Sequence, residues 1–237
     1  MDELAVSLVD VRASYEGERH ATLNGVSFDV PEGRQFAIVG PNGAGKTTIL
    51  EVINGLLPIT SGTVVALGQP VTVNAHRLRA QIAYVPQNLF FPADTPFIAR
   101  DVVLAARFAK VPAGRLPGPH DRSLAGDALE AVGMVAAARR PVGRLSGGQQ
   151  RKILLARAIA QEARLILLDE PTANLDPESK HEVAELVATV RAELGATSLV
   201  VSHEAGPLLD ASERVIEVVD GCVAGVSDAK ATADRED

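Results

Sequence analysis

The sequence predicts an α/β domain: a buried sheet flanked by helices, with antiparallel strands at its start and a helical segment inserted in its middle. Three observations carry this. Short apolar runs at 35–39, 165–168 and 199–201 have the length of strands and lack the polar alternation of a solvent-facing sheet. Longer stretches beside them repeat apolar residues at helical spacing. Residues 112–119, rich in Pro and Gly, cut the middle of the chain into two helical pieces, because neither residue type continues a helix well.

In chain order, residues 5–15 and 22–30 alternate loosely around the break Glu16-Gly17-Glu18 and read as an antiparallel pair. Strand 35–39 runs into a glycine-rich loop and then a helix from about Lys46, with Ile49, Val52, Ile53 and Leu56 on one face. The middle holds a helix around Val102, Val103 and Leu104 and another over 123–135. After strand 165–168, Val183, Leu186, Val187, Val190 and Leu194 form a helical stripe. Strand 199–201 follows, then a hairpin of 215–219 and 222–226 around Asp220-Gly221. The expected organisation is a single domain over 1–237. Its core comprises 1–87 and 160–226, its helical subdomain 88–159, and its frayed polar tail 227–237.

Composition narrows the class. With 46% hydrophobic and 22% charged residues the chain can build an ordinary core. No apolar run reaches the roughly 18 residues of a membrane span, and Met1-Asp2-Glu3-Leu4 lacks the basic-then-apolar start of a leader. Cys222 is the single cysteine, which excludes an internal disulfide framework and a cysteine zinc site and fits a reducing cytosol. The net charge of -7 argues against nucleic acid as a partner.

Two motifs carry chemistry. Gly40-Pro41-Asn42-Gly43-Ala44-Gly45-Lys46-Thr47, followed by Thr48, matches the P-loop pattern between a buried strand and an amphipathic helix. Glycines let the backbone curl until its N–H groups face phosphate oxygens, and the helix adds its positive pole. Lys46 can reach the β- and γ-phosphates, and the Thr47 hydroxyl can ligate Mg²⁺. The fold class is therefore a P-loop NTPase core, RecA-like, with an N-terminal antiparallel β-subdomain and the inserted helices. The second motif ends strand 165–168. Asp169 emerges at its carboxyl end, where open α/β sheets bind ligands, and can hold Mg²⁺; Glu170, one residue on, is free to polarise a water.

Leu145-Ser146-Gly147-Gly148-Gln149 is a second anion-binding device: a hydroxyl and two glycines before a helix expected from about Gln150. It resembles the signature motif of the ABC ATPase family. The order of the remaining motifs is similar to that family over about residues 4–226. Tyr15 stands where the family stacks an aromatic on adenine. Gln87, in Tyr84-Val85-Pro86-Gln87, matches the glutamine that touches Mg²⁺ and the attacking water. Ala173-Asn174-Leu175-Asp176 matches the D-loop, with Ala173 in place of a common Ser or Thr. His203 matches the switch histidine.

The resemblance implies an ATPase in which Glu170, His203, Lys46 and Gln87 are catalytic and Thr47, Gln87 and Asp169 hold Mg²⁺. ATP would contact Tyr15, residues 40–48, Ser146, Gly147, Gly148, Gln149 and Asp176. It implies a head-to-tail dimer with a second ATP-binding subunit, each ATP lying between the P-loop of one copy and the signature motif of the other. It further implies separate integral membrane permease subunits, one short helix of which enters a groove between the Gln87 loop and the inserted helices. The subunit would then sit peripherally on the cytoplasmic face of the cell membrane. Phe90, Phe91 and Phe97 are either part of that partner surface or core of the helical subdomain. The pattern around Tyr84-Val85-Pro86-Gln87 is similar to importers of zinc or manganese, with the iron-chelate group close behind, and nothing after Val226 leaves room for a regulatory domain. An exporter subunit and a soluble ABC ATPase uncoupled from transport are the alternatives.

Overall fold

The computed structural model describes residues 3–17, 20–72, 75–87, 91–112, 114–173, 175–203 and 206–229. Two sheets form. One has the order β2-β1-β4-β5, all antiparallel: β1 (Leu4–Ala13), β2 (Leu23–Pro31), β4 (Ser61–Ala66) and β5 (Gln69–Pro70). The other has the order β10-β9-β3-β8-β7-β6, built from β3 (Gln35–Val39), β6 (Ile82–Val85), β7 (Leu165–Asp169), β8 (Thr197–Val201), β9 (Arg214–Val219) and β10 (Cys222–Asp228). Here β9, β3, β8, β7 and β6 run parallel and β10 closes the edge antiparallel. The expected N-terminal pair and C-terminal hairpin are both present. Asp220 and Gly221 turn that hairpin with φ of 49° and 73°, the left-handed pair of a type I′ turn.

Strand alternation divides the parallel sheet between two cores. Leu165, Leu167, Leu199 and Val201 join the cluster under the antiparallel sheet, together with Ile49, Leu50 and Ile53 of α1 (Lys46–Ile53). Ile166, Leu168 and Val200 face the other way. They share one cluster with Val103 of α3 (Ala99–Ala105), Leu129 of α4 (Pro119–Ala131), Ile153 of α5 (Gly147–Ala160) and Val187 of α6 (Pro177–Leu194). The inserted helices thus bury their apolar side against the sheet itself. Two single-turn helices, α2 (His76–Arg79) and α7 (Pro207–Asp210), complete the set.

Several boundaries differ from expectation, each for a local reason. Leu56 lies beyond the end of α1 and is 54% exposed, so it is not on the buried face. Helix α4 starts at Pro119 rather than 123, because Pro fits the first helical position and the Asp121 carboxylate accepts the Gly118 N–H at 2.8 Å. It ends before Gly133, whose φ of 67° leaves Val135 in a 3-10 turn. Helix α5 begins at Gly147, three residues earlier than the motif suggested, capped by Ser146. Strand β10 runs to Asp228 and Ala229 is buried, so the tail does not start at 227; residues 230–237 lie outside those described. Phe91 packs against the helical core while Phe97 is 59% exposed, and Phe90 lies outside the described residues.

A buried ion cluster locks the insertion. Arg107, in the 3-10 turn after α3, donates from Nε to Asp121 at 2.9 Å and from Nη1 to the Ala160 carbonyl at 2.8 Å and Glu162 at 2.6 Å. The Arg107 and Asp121 side chains are 7% and 12% exposed. Removing Arg107 leaves the largely covered Asp121 carboxylate and the Ala160 carbonyl without that donor, while Glu162 still reaches water. Arg107→Ala is therefore expected to lower the midpoint of a urea titration, and Glu162→Ala to lower it less.

Candidate functional site

Every parallel strand of the sheet delivers a loop to the same edge. Strand β3 ends at Val39 and the chain turns at Gly40, whose φ is 149° and where a Cβ would sit 2.0 Å from the Val218 carbonyl oxygen. Gly45 caps α1 in the left-handed region, φ 98°, with Leu23 Cδ2 2.8 Å from where a Cβ would stand. Only glycine meets both demands. The α1 N-terminus has no side-chain cap and no acidic residue in its first turn, so its N–H groups and positive pole are left to the loop.

Lys46 is buried, and its ammonium donates to the carbonyls of Gly40 at 2.8 Å and Pro41 at 3.0 Å. It arches over the loop instead of reaching solvent. Thr47 Oγ1 lies 3.1 and 3.0 Å from the two carboxylate oxygens of Asp169, the last residue of β7. Burial pushes the Asp169 pKa above the usual carboxylate value; the Thr47 hydrogen bond opposes this, and the charges of Glu170 and Glu51 add to it.

Glu170 follows with φ 45°, its N–H held by the Val201 carbonyl at 3.0 Å. Both carboxylate oxygens are engaged. Gln87 Nε2 donates to Oε2, and His203 Nδ1 stands 3.0 Å from Oε1. Three loops, after β6, β7 and β8, thereby meet on one carboxylate.

These groups line a cavity of about 590 Å³ with Tyr15, Thr22, Asn42, Gly43, Gly45, Lys46, Thr47, Thr48, Gln87, Glu170 and His203 on its walls. Tyr15 is tied inward: its hydroxyl donates to Glu51 at 2.7 Å and lies 3.1 Å from Thr48 Oγ1. Glu51 was not singled out from the sequence. Its signal was available, since Thr48 and Glu51 stand three apart on one helix and share a face. Tyr84 was also passed over as a side chain. Burial raises its pKa above the ordinary tyrosine value, with the nearby Asp169 charge adding to the effect.

The remaining predicted residues lie elsewhere. Ser146, Gly147, Gly148, Gln149 and Asp176 are not on the walls of this cavity. Ser146 Oγ accepts from the Gln149 N–H at 3.3 Å and Gln149 Oε1 accepts from the Ser146 N–H at 3.2 Å, a reciprocal cap on α5. No acidic residue stands in the first turn of α5. Asp176 caps α6, accepting from the Ser179 hydroxyl at 2.7 Å and N–H at 3.0 Å, which holds its carboxyl below the usual range. Asn174, between the two, lies outside the described residues. Arg151 of α5 donates to the Ala173 carbonyl at 2.7 Å, linking the helix after Ser146 to the loop before Asp176.

Comparison with known proteins returns one consistent answer. A family model described as ABC transporter matches residues 23–173. The manganese transport system ATP-binding protein MntB of Halalkalibacterium halodurans is 40% identical over 187 residues, covering 79% of this chain and 72% of the relative. The zinc transport system ATP-binding protein TroB of Treponema pallidum is 37% identical over 212 residues, covering 90% and 77%. A dimeric ATP-binding cassette solved in a post-hydrolysis state with ADP and Pi superposes with a TM-score of 0.82 at 28% identity, over 94% of this chain and 98% of that one.

Asp169 gives a stability prediction. A carboxyl whose pKa is raised by folding opposes folding once it ionises, so stability falls as pH rises from the unfolded carboxylate value through the raised folded one. Asp169→Asn removes that term while leaving an oxygen to accept from Thr47. The ligand-free variant is expected to lose less melting temperature than the parent as pH rises through the carboxylate range, measured by calorimetry at several pH values.

Proposed function

This chain belongs to the ABC transporter family, and from that premise we propose that it is the ATP-hydrolysing subunit of a transporter whose ATP binds in the cavity around Lys46 and Glu170. One observation carries the site: the buried lysine, Thr47 with its bond to Asp169, and the doubly held Glu170 meet at one cavity whose walls include Lys46, Thr47 and Glu170, at the carboxyl edge of a parallel sheet. Phosphate oxygens offer Lys46 a charged acceptor in place of the neutral carbonyls of Gly40 and Pro41, and a charge-assisted bond is the stronger. The N–H groups of residues 43–48 take the same anion. Tyr15, its ring set by Glu51 and Thr48, stands at the wall for the adenine.

The donor set Thr47 hydroxyl, Asp169 carboxylate and Gln87 amide oxygen consists of hard oxygens with a single carboxylate. That suits Mg²⁺ retaining several waters and does not suit zinc. Thr47, Asp169 and Gln87 would hold Mg²⁺, which would offset phosphate charge when bound. Glu170 is the general base: Gln87 and His203 fix both oxygens, so the carboxylate is aimed before a water arrives. His203 sets the geometry on the γ-phosphate side.

In this reading the Ser146 loop is a second anion site, and it does not line its own chain's cavity. A second copy supplies this loop, packing head to tail so that each ATP is held by Lys46 of one chain and by the Ser146–Gly148 segment of the other; that the similar cassette is dimeric supports pairing of two copies. Hydrolysis removes the γ-phosphate both loops share, and the pair loosens. No helix among the described residues is long and apolar enough to cross a membrane. In this reading separate membrane permease subunits complete the transporter, with this chain on their cytoplasmic side; the transport-system relatives support it. The manganese and zinc relatives support metal ions or metal chelates as cargo.

The test is Glu170→Gln. ATP binding is expected to persist, turnover to fall by about 10²–10⁴-fold, and sedimentation to show an ATP-dependent dimer. Hydrolysis at the native rate by the variant would sink the role of Glu170. Lys46→Ala is expected to lose ATP binding itself, measured by calorimetric titration.

A further inference from the structure

Glu51 stands where helix chemistry does not favour a carboxylate. It lies in the last turn of α1, at the negative pole of the helix, where a cation stabilises and an anion does not. No basic residue shares that turn, and among the described residues no cation pairs with Glu51. Its charge also reaches Asp169 and helps to raise that carboxyl's pKa. Glu51 therefore does nothing for the helix that carries it. Its side chain, half-buried, has one hydrogen bond among the described residues, from the Tyr15 hydroxyl at 2.7 Å.

A count of protons gives that bond its direction. Tyr15 lies in the loop after β1, on the wall of the cavity around Lys46. A phenol has one proton to donate, and at 2.7 Å from a carboxylate it goes to Glu51. The 3.1 Å contact with Thr48 then runs the other way, the Thr48 hydroxyl donating to the Tyr15 oxygen. The chain Thr48 to Tyr15 to Glu51 ties a loop residue to both turns of α1. A tyrosine attached only at its backbone turns about two side-chain torsions; one anchored at the hydroxyl as well keeps a single plane. Glu51 itself does not line the cavity.

We propose that Glu51 is a positioning residue for the base of the nucleotide: without touching the ligand it fixes the Tyr15 ring as a flat wall, and it has no part in holding the phosphates. The proposal rests on the reading of this cavity as the ATP site. Ordering an unanchored side chain at the moment of binding weakens affinity by about 3–10-fold, and that is the share the Glu51 bond supplies. The charge of Glu51 works in the opposite sense, because a negative group near Asp169 disfavours a triphosphate. The acceptor oxygen helps binding and the charge opposes it, so the two can be separated by substitution.

Glu51→Gln and Glu51→Leu remove the same charge, and only Glu51→Gln keeps an oxygen that accepts from Tyr15. The full chain is titrated calorimetrically with Mg²⁺ and the non-hydrolysable imido analogue of ATP. Glu51→Leu is expected to bind the analogue about 3–10-fold more weakly than Glu51→Gln. Inorganic tripolyphosphate, which has no base, is expected to bind the two alike. Tyr15→Phe, which leaves α1 untouched, is expected to weaken the analogue by the same factor and tripolyphosphate not at all. Added to Tyr15→Phe, the two Glu51 substitutions are expected to differ no longer. Equal binding of the analogue by Glu51→Leu and Glu51→Gln overturns the role of Glu51 and leaves the ATP site standing. So does a difference that survives Tyr15→Phe, or a loss of tripolyphosphate as large as that of the analogue. Tyr15→Ala tests the reading beneath: if it leaves binding of the analogue unchanged, the base does not lie on Tyr15, and that wall falls together with the proposal.

Discussion

The structure depends on one constraint: β3, β7 and β8 are buried on both faces and run parallel in a fixed register. Leu165 and Leu167 fill one core, Ile166 and Leu168 the other, and all are essentially inaccessible. A slip of one residue would exchange the two sets and empty both cores, so the register cannot drift. Two backbone bonds at the strand ends, Glu170 N–H to Val201 and Ser202 N–H to Ile38, carry that register into the loops. The positions of Gly40, Asp169, Glu170 and His203 relative to one another follow from sheet packing rather than from contacts among the polar groups themselves.

What the sheet delivers is a set of charges already held in place. Lys46 has carbonyl acceptors, Asp169 has the Thr47 hydroxyl, and Glu170 has Gln87 and His203. Each partner is weaker than, or displaced by, what a triphosphate with its metal ion and water would offer, so little reorganisation is needed when the nucleotide arrives. The second anion device is built by different means. Ser146 and Gln149 cap α5 reciprocally and leave its N-terminus free of negative charge, but on a part of the surface its own cavity does not reach. In the proposed reading, the helix end at Ser146 serves the nucleotide of another copy, and the nucleotide becomes the link between copies.

Much of this could be read in the sequence because it is local. Apolar runs marked the buried strands, Asp220-Gly221 marked the hairpin, and the glycines of the 40–45 loop marked a backbone bent in ways side chains forbid. Most residues lining the cavity were legible for the same reason, since they follow a strand or open a helix; Thr22, just before β2, was not singled out. What escaped depends on distant packing. Arg107 gathers Asp121 and Glu162 from 14 and 55 residues away, and Tyr15 meets Glu51 from 36 away, with no periodicity to announce either. Helix ends were misplaced where caps overrode the apolar pattern, at Gly118 and Ser146. Phe91 and Phe97 separate into core and surface although they lie six residues apart and both have their backbones held, Phe91 by Gln150 and Phe97 by the Val142 N–H, each at 2.9 Å.

The central claim is that the Ser146 loop completes the ATP site of another copy. Mixing two inactive variants tests it most directly. Lys46→Ala destroys the P-loop and spares the signature loop; Ser146→Arg does the reverse. If the site is shared between copies, an equimolar mixture contains heterodimers with one intact site, and single-turnover cleavage of ATP reappears although neither variant alone supports it. If the mixture remains as inactive as its components while sedimentation with ATP shows the two variants paired with each other, the Ser146 loop acts within its own chain or not at all, and the account of a nucleotide-linked pair is wrong.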